Sequence, residues 1–147
     1  MTTVLLLSGP NLNLLGERQP EVYGTATLDD HVDAARKAAA EHGLEIEHLQ
    51  SNHEGDLVEA IQGARGRCAA IVINPGAFTH YAWAIHDALA AFDGPVVEIH
   101  LSNPNAREPW RHTSVVTPVA TGSIMGFGGR SYTLAIQAVA NLLKENA

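Results

Sequence analysis

Val96-Val97-Glu98-Ile99-His100-Leu101-Ser102-Asn103 is an apolar run that carries a carboxylate and an imidazole two residues apart and then turns polar. Preceded by Asp93-Gly94-Pro95, it reads as a buried strand. Side chains alternate along a strand, so Glu98 and His100 share a face. A carboxylate beside a histidine fixes the imidazole's tautomer and raises its basicity, and α/β proteins place their chemistry at strand ends. The fold then depends on which segments can lie beside this strand.

Working outward, two more runs have the same all-apolar character. Val4 to Leu7 ends at Ser8-Gly9-Pro10, and Ala69 to Ile73 ends at Asn74-Pro75-Gly76; both fit strands buried on two faces of a parallel sheet. Leu44 to Gln50 alternates as a strand, and Val115 to Ala120 is read as a fifth, placed at the sheet edge because Pro118 cannot donate a ladder hydrogen bond. Helical spacing separates these runs. Thr27 caps a helix with Leu28, Val32, Ala35 and Ala39 on its apolar face, ended by Gly43. Ser51-Asn52 precede a helix with Leu57, Val58 and Ile61; Thr79 precedes one with Ala84, Ile85, Ala88 and Leu89; and Tyr132 to Leu143 forms the last.

Alternating strands and helices call for right-handed crossovers and an α/β fold with helices on both sides of an open parallel sheet. Five units match the flavodoxin-like order 2-1-3-4-5, in which the carboxyl ends of strands one, three and four meet near the topological switch point. Those ends carry Asn11 and a long aperiodic loop to Gly24, then Asn74, then Glu98 with His100. A loop of that length in a small domain suits a lid.

The totals narrow the function. With 147 residues and 46% hydrophobic content, one domain spanning 1–147 is expected. A net charge of −7 disfavours a nucleic-acid or anionic-membrane surface, though local basic groups can still bind a small anion. Cys68 is the only cysteine, so no internal disulfide can form, and a reduced thiol buried in a strand is expected. Val4 to Leu7 is too short for a signal peptide's hydrophobic region, and no run reaches membrane-spanning length, so the chain reads as soluble and cytoplasmic. Eight histidines raise the question of a metal, but no His-Glu-x-x-His or paired-cysteine spacing is present, and His31, His42, His48 and His53 fall on expected helix or surface positions. Gly126-Phe127-Gly128-Gly129 follows the last strand, whereas a dinucleotide fingerprint follows the first, and is read as a packing turn.

Three segments converge at the switch point: Gly9-Pro10-Asn11-Leu12-Asn13-Leu14-Leu15-Gly16 with Arg18, Pro20 and Tyr23-Gly24; Asn74-Pro75-Gly76-Ala77-Phe78-Thr79-His80; and Glu98 to Asn103 with Arg107 and Arg111-His112. Their joint wording closely resembles type II 3-dehydroquinate dehydratase over nearly the whole chain. Small apolar departures, Phe78 and Leu101, leave the resemblance intact. It implies a lyase that dehydrates 3-dehydroquinate to 3-dehydroshikimate by anti elimination through an enolate, without metal or organic cofactor, in the shikimate pathway or in quinate breakdown. Carried over by residue, Tyr23 resembles the base at C2, Arg18 its electrostatic helper, and His100 the acid for the C1 hydroxyl, oriented by Glu98. Asn11 would hold a water at the enolate oxygen. Asn74 and the backbone groups of Leu101 and Ser102 would grip the carboxylate, with His80 and Arg111 on the ring hydroxyls and Arg107 supporting the lid. The resemblance also implies a dodecamer built from trimers. Asp87, seven residues after His80 on the same expected helix, would be roughly 10 Å from it along the axis and would reach a neighbouring subunit's site.

A tyrosine base is electrostatically demanding. Bringing a phenol from about 10 to near 7 requires roughly 4 kcal/mol of preference for the anion, and one guanidinium at about 4 Å supplies roughly that much before desolvation is subtracted. A second arginine, Arg107 or Arg111, is therefore expected beside Tyr23. The rival from another class is a non-enzymatic flavodoxin-like flavin-binding or receiver module. A receiver would place acids at the first strand's end and an aspartate at the third's, where this chain has Ser8-Gly9-Pro10 and Asn74-Pro75. A lysine Schiff-base dehydratase would have only Lys37 and Lys144, both on expected helix surfaces.

Overall fold

The computed structural model describes residues 1–146 and contains one five-stranded parallel sheet in the order β2-β1-β3-β4-β5. The strands are β1 (Thr2–Ser8), β2 (Leu44–Gln50), β3 (Ala70–Asn74), β4 (Val96–His100) and β5 (Gly122–Met125). The helices are α1 (Pro20–Tyr23), α2 (Leu28–Ala40), α3 (Glu54–Ala64), α4 (Trp83–Ala90) and α5 (Arg130–Glu145). The flavodoxin-like α/β order expected from the sequence is the one observed. Alternation sorts the apolar run of β1 between two cores: Val4 and Leu6 pack under α2 and α5 with Val32, Ile136 and Val139, while Leu5 and Leu7 pack under α3 and α4 with Leu57, Ile61, Ile85 and Leu89. Burial on both faces explains why no polar residue interrupts that run.

Local chemistry sets the element ends. Thr27 and Asp30 form a reciprocal capping box, Asp30 N–H to Thr27 Oγ1 at 3.2 Å and Thr27 N–H to Asp30 Oδ2 at 2.9 Å, which starts α2 where the sequence indicates. The first strand end meets the third through Gly9, whose N–H donates to the Asn74 carbonyl at 2.8 Å. A Cβ on Gly9 would lie 2.4 Å from the Pro75 oxygen, so only glycine permits that approach. The loop after β1 is pinned to the α2/α5 core by Leu12 and Leu15, and α1 stands beyond that anchor.

Two sequence expectations are corrected. Val115–Ala120 is not a strand: Val115 and Val116 plug the α3/α4 core, and Thr117–Val119 forms a 3-10 turn containing Pro118. Ser114 Oγ accepts the N–H groups of Val116 and Thr117, which turns the chain there, and the edge strand forms later at Gly122–Met125. Thr79 precedes the α4 helix as expected, with Gly76–His80 forming a separate 3-10 turn before α4 begins at Trp83. Cys68 is buried, but in the connection just before β3, and burial pushes its thiol up. His31 lies on α2, as expected, and is buried there, stacked on Tyr132 with ring centroids 5.5 Å apart. Its imidazole occupies the space that a Cβ on Gly129 would need, 2.1 Å from the ring, which accounts for a glycine at that point of the packing turn. Among the described residues, no helix is long and apolar enough to cross a membrane.

Candidate active site

A cavity of about 160 Å³ opens at the carboxyl ends of β1, β3 and β4 and is roofed by α1 and the segment after β4. Its lining includes Asn11, Arg18, Tyr23, Asn74, His80, His100, Leu101, Ser102, Arg107 and Arg111, so ten of the twelve residues singled out in the sequence meet here. Glu98 lies directly behind His100. Asp87 does not come to the cavity: it is exposed and lines a surface groove between α3 and α4 with Val58, Gln62 and Arg65. Three arginines and no carboxylate line the cavity, a charge balance suited to a small anion on a chain of net negative charge.

Glu98 and His100 share the α3/α4 face of β4, as period-two alternation requires. Glu98 is fully buried, and its Oε2 accepts from His100 Nε2 at 2.7 Å. Hydroxyls supply the remaining donors. Thr79 Oγ1 donates to Oε2 at 2.7 Å, Ser114 reaches it at 3.3 Å, and Thr117 and Ser123 donate to Oε1 at 2.5 and 3.1 Å. Burial opposes charge on this carboxyl, but the hydrogen bond and charge of His100, with those from Thr117 and Thr79, outweigh it and hold the group at about 2. A permanent buried anion therefore faces His100. The glycine-rich turn secures the strand end: the N–H groups of Gly126 and Gly128 donate to the carbonyls of His100 and Leu101 at 3.2 and 2.9 Å, and Ser131 Oγ reaches the His100 carbonyl at 3.2 Å.

At the end of α1, Tyr23 has two guanidinium groups beside it. Arg107 Nη1 donates to the phenol oxygen at 2.8 Å and to Ser102 Oγ at 3.2 Å, tying α1 to the end of β4. The Arg18 guanidinium carbon stands 4.9 Å from the centroid of the same ring. The expected second arginine is thus Arg107. Arg111 instead lies over Trp110 at 4.0 Å and bonds Glu108 at 3.1 Å.

His80 Nδ1 donates to the Thr113 carbonyl at 2.7 Å, and its ring meets Trp110 edge-on. Burial pushes its imidazole below the ordinary histidine value, against the pull of the Thr113 carbonyl, which leaves Nε2 as an acceptor toward the cavity. Asn11 adopts a left-handed backbone, φ 67°, with its N–H held by Asn52 Oδ1 at 3.0 Å. The hydroxyl ring around Glu98 and the Trp110 wall were not singled out in the sequence. The hint for the ring was present, since a buried carboxylate needs donors and Thr and Ser cluster at 113–123.

A profile of the family described as Dehydroquinase class II matches residues 2–140. Among similar proteins, 3-dehydroquinate dehydratase 2 of Pseudomonas putida is 54% identical over 144 residues, covering 98% of this chain and 97% of its own. The catabolic 3-dehydroquinase of Penicillium rubens is 52% identical over 137 residues, covering 93% and 88%. The crystal structure of the type II dehydroquinase from Propionibacterium acnes superposes with a TM-score of 0.92 at 41% identity, over 96% of this chain and 97% of that one.

Proposed function

The chain belongs to the class II dehydroquinase family and is a 3-dehydroquinate dehydratase, a lyase, and from that premise we propose how its cavity divides the proton transfers. Tyr23, as phenolate, takes a proton from C2 of 3-dehydroquinate. The electron pair moves into the C3 carbonyl and gives an enolate. Collapse of the enolate breaks the C1–O bond, and the departing hydroxyl takes a proton from His100 and leaves as water. The product is 3-dehydroshikimate, and solvent exchange restores both groups.

The observation that carries this reading is the pairing of each group with the opposite charge. Tyr23 receives a hydrogen bond from Arg107 and has Arg18 over its ring, two cations beside the side chain that carries negative charge as a base. His100 is backed by the buried Glu98 carboxylate, a partner of opposite charge for the imidazolium that an acid uses. With Nε2 engaged by Glu98, Nδ1 is the nitrogen available to the substrate. Asn74 and the backbone of Leu101 and Ser102 are assigned to the carboxylate, His80 and Arg111 to the ring hydroxyls, and Asn11 to a water at the enolate oxygen. His80 suits its role because Nε2 can accept from a hydroxyl. This route passes the C2 proton to Tyr23 and draws the leaving-group proton from His100, with no step assigned to a metal or organic cofactor.

Asp87 is assigned to assembly. Its exposed position outside the cavity fits a homo-dodecamer of trimers in which Asp87 of the partner subunit completes the site. The test of the catalytic reading is to add 3-dehydroquinate and follow the ultraviolet absorbance of the conjugated enone. Wild type should form it, and Tyr23→Phe and His100→Ala should each lose about 100-fold or more in rate; variants that match wild type would refute the roles.

A further inference from the structure

Asn74 ends β3 on the α2/α5 side of the sheet, the face opposite Glu98 and His100, and it is 2% exposed. Its amide is held at both ends. Gly76 N–H donates to Oδ1 at 3.3 Å, and Nδ2 donates to the Tyr132 hydroxyl at 3.4 Å. Tyr132 is fully buried in the first turn of α5, braced by the His31 ring. Its hydroxyl pairs with Ser8 Oγ at 3.3 Å, and Ser8 Oγ pairs with His48 Nε2 at 2.9 Å. The chain of contacts thus runs from β3 across β1 to β2, and Ser8, Tyr132 and His48 do not line the cavity.

The polarity of this chain is determined at its Asn74 end. Because Gly76 can only donate, Oδ1 faces Gly76 and Nδ2 faces Tyr132. The Tyr132 proton then goes to Ser8, and the Ser8 proton to an unprotonated His48 Nε2, so every hydroxyl both donates and accepts. Burial of His48, with Arg36 nearby and Asp29 opposing, pushes its imidazole below the ordinary value and suits that acceptor role. One N–H of Nδ2 is used by Tyr132, and the other remains for the cavity.

We propose that Tyr132, Ser8 and His48 are positioning residues that lock the Asn74 amide with its N–H, rather than its carbonyl oxygen, toward the substrate carboxylate. The inference rests on the assignment of Asn74 to that carboxylate. An amide turned the other way would present an acceptor to an anion, so the relay acts on substrate affinity and leaves the proton transfers alone.

The test measures KM and kcat for 3-dehydroquinate in Tyr132→Phe, Asn74→Ala and the double variant, with thermal melts alongside. Tyr132→Phe keeps the ring on His31 and removes one neutral hydrogen-bonding group, so KM should rise about threefold to tenfold with kcat within about twofold. In the Asn74→Ala background the same change should raise KM no further, because its effect passes through Asn74. Ser8→Ala should raise KM in the same sense and provides the test if Tyr132→Phe does not fold. A fall in melting temperature with unchanged KM in both variants would overturn the relay, as would an equal effect with and without Asn74. If Asn74→Ala itself leaves KM unchanged, the assignment of Asn74 to the carboxylate fails first and the relay with it.

Discussion

Replacing Arg107 with alanine removes a side chain that bonds both Tyr23 on α1 and Ser102 just beyond β4. The lost contact is a guanidinium hydrogen bond of 2.8 Å to the phenol oxygen, with a second at 3.2 Å to Ser102. Hydrogen bonds to charged groups contribute about 1.5–3 kcal/mol, and this one is strongest when the tyrosine oxygen carries the charge a base requires. The expected loss in kcat is therefore roughly 10- to 150-fold. Arg107→Lys restores the charge but not the fixed guanidinium plane that places Nη1 against both Tyr23 and Ser102, so it should recover only part of that loss. The assay is the steady-state rise of enone absorbance. Arg107→Ala within about twofold of wild type in kcat, or Arg107→Lys falling below Arg107→Ala, would refute the reasoning that this guanidinium stabilises the base.

Three further outcomes follow from the same geometry. Glu98 titrates at its ordinary 4.5 when unfolded and at about 2 when folded, so the stability it contributes, roughly 3 kcal/mol, is complete above pH 4.5 and is lost as pH falls toward 2; urea unfolding between pH 5 and pH 2 should show a component of that size that is absent in Glu98→Gln, and parallel curves would contradict it. Gly129→Ala puts a methyl into the His31 ring and should cost roughly 1–3 kcal/mol, seen as a lower melting temperature, with part of the loss recovered by His31→Ala; an unchanged melt would contradict the packing account. If Asp87 acts across subunits, Asp87→Ala should lower activity, and dissociating and reassembling it with Tyr23→Phe should regain activity through mixed sites; no regain would remove Asp87 from the neighbouring site.

Sheet order was legible because β1, β3 and β4 are apolar runs buried on both faces, a signal local to each run. β5 was not, since Gly122–Met125 is a half-exposed edge strand with no such run, while Val115 and Val116 offered an apolar decoy beside Pro118. The role of Thr79 was not legible either, because its acceptor is Glu98, which the sheet brings near from 19 residues away. The Glu98–His100 pair was readable from strand alternation alone. The contact between Tyr23 and Arg107 spans 84 residues, so the sequence could call for a second arginine on electrostatic grounds but could not choose between Arg107 and Arg111. The relay through Ser8, Tyr132 and His48 carried no local signal, because its members lie on three different elements.

The separation of base from acid is tested most directly by hydrogen exchange at C2 of 3-dehydroquinate in deuterium oxide, followed by proton nuclear magnetic resonance. His100→Ala should still wash deuterium into C2 of the remaining substrate faster than buffer while forming little product, and Tyr23→Phe should do neither. Exchange retained by Tyr23→Phe and lost by His100→Ala would contradict the assignment and make His100 the base.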